Sequence, residues 1–215
     1  MNNSVTTVYL IRHGQSVGNL NNICLGHTDL DLTELGYHQA EKTAEALRDV
    51  SFDAIFSSDL IRACNTAAPH CEIHGISPSV SEDFRELYFG DWENRSVDYL
   101  KEQFHDDFVI GWRQNFGTFT PPKGESVVAM GKRMREAVEN AVKKHLGANI
   151  LIVSHAAAIR ALWGEISGLE PERWAENPFP SNASYSVLKY EDGRLFPISY
   201  SNDSHLGEDA TNIKH

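Results

Sequence analysis

Three residues with reactive side chains stand just past predicted strands or strand-to-helix turns. His13 follows the apolar run at 8–11, His155 follows the run at 150–154, and Arg62 lies near the start of a predicted helix. In open α/β sheets, ligands bind at this edge, beyond the carboxyl ends of the strands. A neutral imidazole attacks phosphorus as a nucleophile, and guanidinium groups bind phosphate oxygens bidentately. The three residues therefore predict a phosphate pocket at one edge of a sheet.

Strand-like and helix-like segments alternate along the chain, and they would position these residues. The pattern predicts strands at 6–11, 53–58, 149–155, 184–190 and 195–200, and helices at 32–50, 59–68 and 156–168. Alternation of strands with helices favours a parallel sheet. We therefore expect an α/β protein, a three-layer α/β/α sandwich with a mostly parallel sheet.

The ends of several predicted segments carry residues that are typical of caps and turns. Ser58 is expected to cap the helix at 59–68, and Pro69 is expected to end it. Gly168 fits the end of the helix at 156–168, because glycine closes helices in the left-handed conformation. Asp192-Gly193 fits the turn of a closing hairpin.

Residues 84–119 break this alternation. They contain ten of the 21 aromatic residues, together with seven acidic and four basic residues. We interpret residues 88–122 as a helical, aromatic-rich cap insertion over the sheet, within a single domain that spans residues 1–215. Clustered aromatic side chains more often form a core than a ligand cage, so a packing role is the alternative.

Composition restricts the location and the partners of the protein. The formal net charge of −11 opposes nonspecific binding to nucleic acid or anionic lipid, because both are polyanions. No run approaches the ~18 apolar residues of a membrane span. Cys24, Cys64 and Cys71 form a sparse, odd set that is typical of free thiols in a reducing compartment. We expect a cytoplasmic protein with no nucleic-acid or membrane partner.

A metal site is an alternative use of some of these residues. Cys24-x-x-His27 and Cys71-x-x-His74 have the spacing of metal ligands. Neither pair has a partner pair in the sequence, and a zinc site usually needs at least three protein ligands. We therefore expect no metal site. For His13, His155 and Arg62 the alternative is a structural histidine or a solvated charge.

Seven blocks, in order along the chain, carry a family resemblance. They are LIRHGQSVGN, GHTDLDLTELGYHQA, SSDLIRACNTA, FRELYFGDW, PPKGES, IVSHAAAIRAL and ISYSNDSHL. Together they resemble the histidine phosphatase superfamily in its phosphoglycerate-mutase-like branch, over nearly the whole chain. The last block is similar to the ending of the branch's small phosphatases, such as α-ribazole, phosphoserine and broad-specificity phosphatases.

The resemblance implies a reaction in two steps. His13 would take the phosphoryl group as the nucleophile, and Glu86 would protonate the leaving oxygen as the general acid. Glu86 would then act as the general base toward the water that hydrolyses the phosphohistidine. Glu86 is one of 30 acidic residues, and without the resemblance a surface ion pair with Arg85 or another basic residue is the alternative.

The resemblance also implies a phosphate site that works without a cofactor. Arg12, Arg62 and His155 would hold the nonbridging oxygens, and Asn19 would donate one more hydrogen bond. Gly26 would let the backbone approach the substrate closely. Because these fixed donors stabilise the charge, no metal and no other cofactor is implied.

Three positions depart from the common pattern of the family. Asn94, Ala156 and Ala157 stand where the family often has glycine. The methyl group of Ala156 would lie beside the pocket. We expect it to restrict the substrate without affecting phosphate binding.

Phosphatases and mutases share the phosphohistidine step and differ in whether water or a second substrate accepts the phosphoryl group. A mutase must hold a bisphosphorylated intermediate, which favours extra cations in the cap. Residues 84–119 are poor in cations and rich in aromatic side chains, so they favour a substrate with an apolar or planar part. We expect a phosphatase that acts on a small phosphomonoester, with a homodimer as an option. The alternatives are a 2,3-bisphosphoglycerate-dependent phosphoglycerate mutase and a non-catalytic phosphate-binding module.

Overall fold

Eight strands form two sheets in the computed structural model, which describes residues 5–211 of the chain. The strands are β1 Thr6–Arg12, β2 Ile23–Cys24, β3 Ala54–Ser58, β4 Ser79–Ser81, β5 Arg95–Ser96, β6 Asn149–Ser154, β7 Tyr185–Glu191 and β8 Arg194–Asn202. The predicted domain also includes residues 1–4 and 212–215, which lie outside this description.

The main sheet has the strand order β4-β3-β6-β1-β7-β8. Its first four strands run parallel, and β7 and β8 join antiparallel at one side. Arg12 of β1 pairs with Ser154 of β6, so these two strands end side by side. The carboxyl ends of β3, β6 and β1 therefore share one edge of the sheet. β2 and β5 form a separate, short antiparallel pair.

Helices cover both faces of the main sheet. They are α1 Val17–Leu20, α2 Glu34–Ala46, α3 Ile61–His74, α4 Val97–Gln103, α5 Val127–Lys143 and α6 Ala156–Ile166. On one face the strands pack against α3 through Ala63 and Ala67. On the other face they pack against α5, α6 and residues 84–119. This arrangement confirms the predicted three-layer α/β/α sandwich.

None of the described helices is long and apolar enough to cross a membrane.

The predicted turns at Gly168 and at Asp192-Gly193 are confirmed. Gly168 follows α6 with a φ of +67°, in the left-handed region. Asp192 and Gly193 connect β7 to β8 with φ angles of +51° and +80°. Two successive positive φ angles are what a two-residue type I′ hairpin requires.

The predicted start of α3 is wrong. Leu60, rather than Ser58, is the N-cap residue, and no side chain caps the helix from that position. Instead, the carboxylate of Asp29 accepts the N–H of Ile61 at 2.8 Å. Asp29 lies 32 residues away in sequence, so no local pattern reveals this partner.

Pro69 does not end α3. The helix continues through it to His74 and closes at Gly75, whose φ is +67°. A proline inside a helix costs about 3 kcal/mol, because it removes one backbone hydrogen bond and crowds the preceding turn. Ala67 and His70, on either side of Pro69, are fully buried. Packing of this face offsets the cost of the proline.

His70 is a buried histidine on α3, outside the predicted site. Neither of its ring nitrogens has a hydrogen-bond partner within residues 5–211. Burial lowers the pKa of His70 to about 3, and the neighbouring His74 and His205 act in the same direction. The unfolded chain takes up this proton near pH ~6.5, so acid favours unfolding. The contribution of His70 to stability is complete above about pH 6.5 and is lost as the pH falls toward the folded-state pKa.

We expect His70→Leu to flatten the acid dependence of stability. One such histidine changes the free energy of unfolding by about 1.4 kcal/mol per pH unit below its unfolded pKa. Urea unfolding at several pH values on the acid side of neutrality measures this slope. Ile73→Leu, at an exposed position of the same helix, changes no titratable group, so it is the control and should keep the slope of the parent protein. A His70→Leu slope equal to that of the parent would contradict the assignment.

The segment between β4 and α5 is helical but irregular. It contains α4, a π-helix at Asp106–Gln114 and short 3₁₀ turns at Gly90–Trp92 and Phe116–Thr118. Seven of its aromatic residues are buried in the core cluster that includes β1 and β6, namely Phe84, Phe89, Trp92, Phe108, Trp112, Phe116 and Phe119. A packing role is therefore confirmed for these seven. The limits of the cap insertion at 88–122 stay a prediction.

A close backbone contact fixes the loop after β1 against the first turn of α2. A Cβ atom at Gly14 would lie 2.4 Å from the carbonyl oxygen of Gly36, and one at Gly36 would lie 2.1 Å from that of Gln15. Neither position has room for a side chain. This contact explains why glycine completes the Arg-His-Gly triplet.

We expect Gly36→Ala to destabilise the fold by about 2 kcal/mol or more, because the added methyl group must displace backbone. Activity should fall as well, because the displaced loop carries His13. Gly168→Asn is the control, since no atom lies within 4 Å of a Cβ at Gly168 and asparagine tolerates a left-handed conformation. Thermal unfolding compares the two variants, and equal losses would contradict the contact argument.

Candidate active site

The structure brings the three candidate residues together at the carboxyl edge of the sheet. His13 follows β1, His155 follows the adjacent β6, and Arg62 is the second residue of α3, which follows β3. The ring centroids of His13 and His155 lie 5.1 Å apart. All three side chains are buried. Their position matches the ligand-binding edge of open α/β sheets.

The imidazole of His13 is held in one tautomer. Its Nδ1 lies 2.7 Å from the carbonyl oxygen of Gly14. Because a carbonyl oxygen only accepts hydrogen bonds, Nδ1 carries the hydrogen, and in the neutral ring Nε2 carries the lone pair. Burial lowers the pKa of His13 well below its usual range, and the charges of Arg62 and Arg12 act in the same direction. At neutral pH the ring is therefore uncharged, with a defined nucleophilic nitrogen.

Two guanidinium groups in this site are anchored by backbone carbonyls. Arg12 Nη1 donates to Pro180 at 2.7 Å. Arg62 donates from Nη1 to Thr28 at 2.9 Å and from Nη2 to Gly26 at 2.8 Å. The Nε atoms of both arginines are buried and have no partner in the described part of the chain. Burial lowers the pKa of each arginine to about 10, so both remain charged at neutral pH.

His155 is the N-cap residue of α6, where the helix dipole favours a negative charge. Neither of its ring nitrogens has a hydrogen-bond partner among the described residues. Burial lowers the pKa of His155 well below its usual range, and the charge of Arg62 adds to this effect. The ring lies beside His13 rather than on the pocket surface itself. A buried polar group without a partner is rare in a folded protein, and this one lies beside the pocket that His13 lines.

The carboxylate of Glu86 borders the same pocket. Its Oε1 accepts the N–H groups of Leu87 at 2.9 Å and Ala158 at 3.0 Å, and its Oε2 accepts that of Ala157 at 3.1 Å. Two of these donors belong to the first turn of α6. The carboxylate therefore lies at a helix N-terminus, in a position fixed by backbone rather than by another side chain.

The alternative explanation for Glu86, an ion pair with Arg85, is wrong. The guanidinium of Arg85 instead pairs with the carboxylates of Asp59 and Glu82. Arg85 is thus neutralised by these two residues, and it does not line the pocket. Glu86 keeps its free carboxylate edge toward the site.

Asn19 and Gly26 both line the pocket, as the resemblance implies. Asn19 Oδ1 accepts the N–H of Ser16 at 3.1 Å and Nδ2 of Asn182 at 3.0 Å, so its own Nδ2 is the donor that remains for a ligand. Gly26 has a φ of +52°, and a Cβ there would lie 2.2 Å from Glu93 Oε1. Backbone conformation and packing therefore require glycine at this position, independently of any approach of a substrate.

The three departures from the family pattern have separate structural settings. Asn94 has a φ of +57°, a conformation that asparagine tolerates better than most residues. Ala156 and Ala157 line the pocket at the start of α6. Their methyl groups therefore narrow the site near Glu86, where glycine would leave space.

Apolar side chains line the pocket together with the polar groups. They belong to Ile23, Leu25, Phe89, Val97, Phe108, Trp112 and Phe179, and Cys24 lies among them. Arg12 and Arg62 are the only lysine or arginine residues within 5–211 that line it. The pocket is therefore lined by two cations, a few polar side chains and a larger number of apolar ones.

The two Cys-x-x-His motifs do not assemble into a metal centre in the structure as described. No group of three or more His, Cys, Asp or Glu side chains within residues 5–211 is arranged to hold a metal ion. Cys24, Cys64 and Cys71 are free thiols.

Sequence reasoning missed the loop between α6 and β7. Phe179 lines the pocket, the carbonyl of Pro180 anchors Arg12, and Asn182 donates to the carbonyl of His13 at 3.2 Å. Pro180 is 168 residues from its partner Arg12 in sequence. No strand or helix pattern marks these residues, so only the tertiary structure reveals them.

The fold is that of an α/β protein, and a pocket lined by a neutral histidine and two arginines lies at the carboxyl edge of its sheet. The family description "Histidine phosphatase superfamily (branch 1)" matches residues 8–203. The chain belongs to this superfamily, as the sequence motifs predict.

Individual relatives differ in the activity that their names give. "Probable phosphoglycerate mutase GpmB" of Photorhabdus laumondii is 37% identical over 188 residues, which cover 86% of this chain and 85% of that protein. The structure of Bacillus stearothermophilus YhfR matches with a TM-score of 0.88 and 27% identity, covering 94% of this chain and 99% of that one. Phosphoserine phosphatase from Entamoeba histolytica, in complex with 3-phosphoglyceric acid, matches with a TM-score of 0.81 and 26% identity, covering 94% and 99%.

Proposed function

We propose that the protein is a metal-independent phosphomonoester hydrolase that works through a phosphohistidine on His13. The observation that carries this proposal is the state of His13: a neutral imidazole whose Nδ1 is bonded to Gly14, leaving the lone pair on Nε2. The neighbouring Nε donors of Arg12 and Arg62 have no partner in the described structure. A tetrahedral anion beside His13 would satisfy these donors.

In the first step, Nε2 of His13 forms a bond to phosphorus while the bond from phosphorus to the leaving oxygen breaks. Glu86 gives a proton to that oxygen, which departs as an alcohol. In the second step, water attacks phosphorus, the P–N bond breaks, and Glu86 takes the proton of the water. Nδ1 keeps its hydrogen bond to Gly14 throughout, so the ring does not need to turn.

Charge on the transferring phosphoryl group is balanced by donors that are fixed before the substrate binds. Arg12 and Arg62 supply the positive charge, and Asn19 supplies a neutral donor. His155, whose ring lies beside that of His13, would supply a further donor. Such preorganised donors stabilise phosphoryl transfer without reorganisation during the reaction.

Phosphoglycerate mutase is the second candidate, because a relative that is 37% identical carries that name. A mutase must hold a carboxylate and a second phosphate while the phosphoryl group moves. Beyond Arg12 and Arg62, no lysine or arginine of residues 5–211 lines the pocket. This lack of further cations favours water over a phosphorylated acid as the acceptor.

The test is release of inorganic phosphate from a panel of phosphomonoesters in the presence of a chelator. A parallel assay supplies 3-phosphoglycerate with 2,3-bisphosphoglycerate and measures 2-phosphoglycerate. We expect hydrolysis that the chelator does not reduce and that exceeds isomerisation. Isomerisation faster than hydrolysis would establish a mutase, loss of activity with chelator would contradict metal independence, and neither activity would favour a phosphate-binding module.

A further inference from the structure

Four aromatic side chains line the pocket and have no part in the proposed phosphate binding. We call Phe89, Phe108, Trp112 and Phe179 the aromatic wall. Three of them come from the segment between β4 and α5, and Phe179 comes from the loop before β7. All four line the same pocket as His13 and Glu86. The wall therefore borders the space into which the leaving group of a phosphomonoester extends.

The aromatic wall is held rigidly in place. The Trp112 ring lies 5.0 Å from Phe89 and 5.4 Å from Phe179 between centroids. Behind the wall, the guanidinium of Arg160 lies 4.2 Å from the ring centroids of both Phe116 and Phe179. Because these contacts exist without a ligand, the wall loses little conformational freedom when a ligand binds.

Arg160 also connects the wall to the phosphate site. It lies on α6, whose first turn donates two hydrogen bonds to Glu86. Its Nε and Nη2 donate to the carbonyls of Asn177 at 2.6 Å and Ala175 at 2.7 Å. These bonds fix the loop that carries Phe179. One helix therefore sets the distance between the wall and the reacting groups.

Apart from Arg12 and Arg62, no lysine or arginine of residues 5–211 lines the pocket, and Arg160 lies behind the aromatic wall. Lys123 pairs with Asp91 at 3.1 Å, and the guanidinium of Arg95 lies 5.5 Å from the centroid of the exposed Tyr99 ring. A substrate carboxylate against the wall would therefore lose water without gaining a partner, and it would lie near the Glu86 carboxylate. Burial of a charge without a partner is strongly unfavourable, whereas burial of methylene groups is favourable.

We infer that the aromatic wall is a subsite for an uncharged, apolar or aromatic leaving group. The inference rests on the proposed hydrolase function and adds the class of alcohol that the substrate contains. The proposed preference for an uncharged leaving group differs from what the Entamoeba phosphoserine phosphatase structure holds, 3-phosphoglyceric acid, which has a free carboxylate.

The experiment compares kcat/KM for ethyl, butyl and hexyl phosphate with that for 3-phosphoglycerate, by release of inorganic phosphate. The three alkyl esters have leaving groups of similar basicity, so their differences report binding of the chain. We expect hexyl phosphate to exceed ethyl phosphate by about tenfold or more, because each methylene that leaves water favours binding by about fourfold. We expect 3-phosphoglycerate to be poorer than butyl phosphate.

A variant localises the effect. In Trp112→Ala the ratio of kcat/KM for hexyl phosphate to kcat/KM for ethyl phosphate should fall most of the way toward one. Tyr99→Ala, at an exposed aromatic residue of the same segment that does not line the pocket, should keep the full gain. The comparison of esters on the unmodified protein decides the question even if Trp112→Ala does not fold.

The outcomes separate the two proposals. Phosphate release that does not rise with chain length, or that is best for 3-phosphoglycerate, would overturn the subsite and leave the hydrolase. No phosphate release from any ester would overturn the hydrolase and the subsite with it. A gain with chain length that Trp112→Ala retains in full would overturn the assignment of the subsite to the wall.

Discussion

Substitution of His13 by alanine should lower the rate of phosphate release by about 10⁴-fold or more, as removal of a covalent nucleophile does in other enzymes. The imidazole is the group whose Nε2 would form the bond to phosphorus, and no other imidazole lines the pocket among residues 5–211. Stability should change far less than activity. The measurements are steady-state phosphate release, intact mass after rapid denaturation in base to detect the phosphohistidine, and thermal unfolding.

Chemical rescue distinguishes a nucleophile from a structural histidine. His13→Ala leaves a space of imidazole shape between Arg12 and Arg62, so added imidazole should restore part of the activity. Each turnover should then release phosphoimidazole or its hydrolysis product. His38→Ala, at an exposed histidine, is the control and should retain full activity. Residual activity in His13→Ala close to that of the parent would remove His13 from the mechanism.

The sheet was the most predictable part of this protein. β6 is buried along nearly its whole length, so its sequence is a continuous apolar run, and β1 carries a similar signal. Because parallel strands end at a common edge, the positions of His13 and His155 followed from the strands alone. A strand that is buried on both faces of the sheet can therefore be predicted from its own short apolar sequence.

Features that depend on distant partners were not predictable. The start of α3 is capped by Asp29 from another loop, and packing of Ala63 and Ala67 against the sheet holds the helix that continues through Pro69. Phe179 contributes to the pocket only because the loop before β7 returns to β1 and α6. In each case the decisive contact joins segments that are far apart in the chain, and residue type alone does not encode it.

The identification of Glu86 needed both the sequence motif and the three-dimensional fold. Motif resemblance selected it among the acidic residues, but its hydrogen bonds to the first turn of α6 became visible only in the fold. Those bonds also allow a purely structural role for Glu86, in which its carboxylate accepts the N–H groups at the start of α6 and transfers no proton. A useful experiment must therefore separate proton transfer from positioning.

We expect Glu86→Gln to act differently on esters with poor and good leaving groups. An alkoxide leaves poorly without a proton, so phosphate release from butyl phosphate should fall by about 10²–10⁴-fold. A nitrophenolate leaves without a proton, so formation of the phosphohistidine from p-nitrophenyl phosphate should fall far less. Hydrolysis of the intermediate would then limit the rate, because water lacks its general base. Rapid mixing should show a burst of nitrophenol and accumulation of phosphorylated protein.

A matched control tests whether the loss of one negative charge in this region is enough to change the activity. Glu82→Gln removes a carboxylate four positions earlier in the chain that pairs with Arg85, and it should leave both esters unaffected. Glu86→Gln also exchanges one acceptor oxygen for an amide that meets the N–H groups of α6, so thermal unfolding accompanies the kinetics. If both esters lose activity equally and no burst appears, Glu86 positions α6 and His155 rather than transferring a proton. If the burst appears with butyl phosphate strongly impaired, the same carboxylate serves as the acid of the first step and the base of the second.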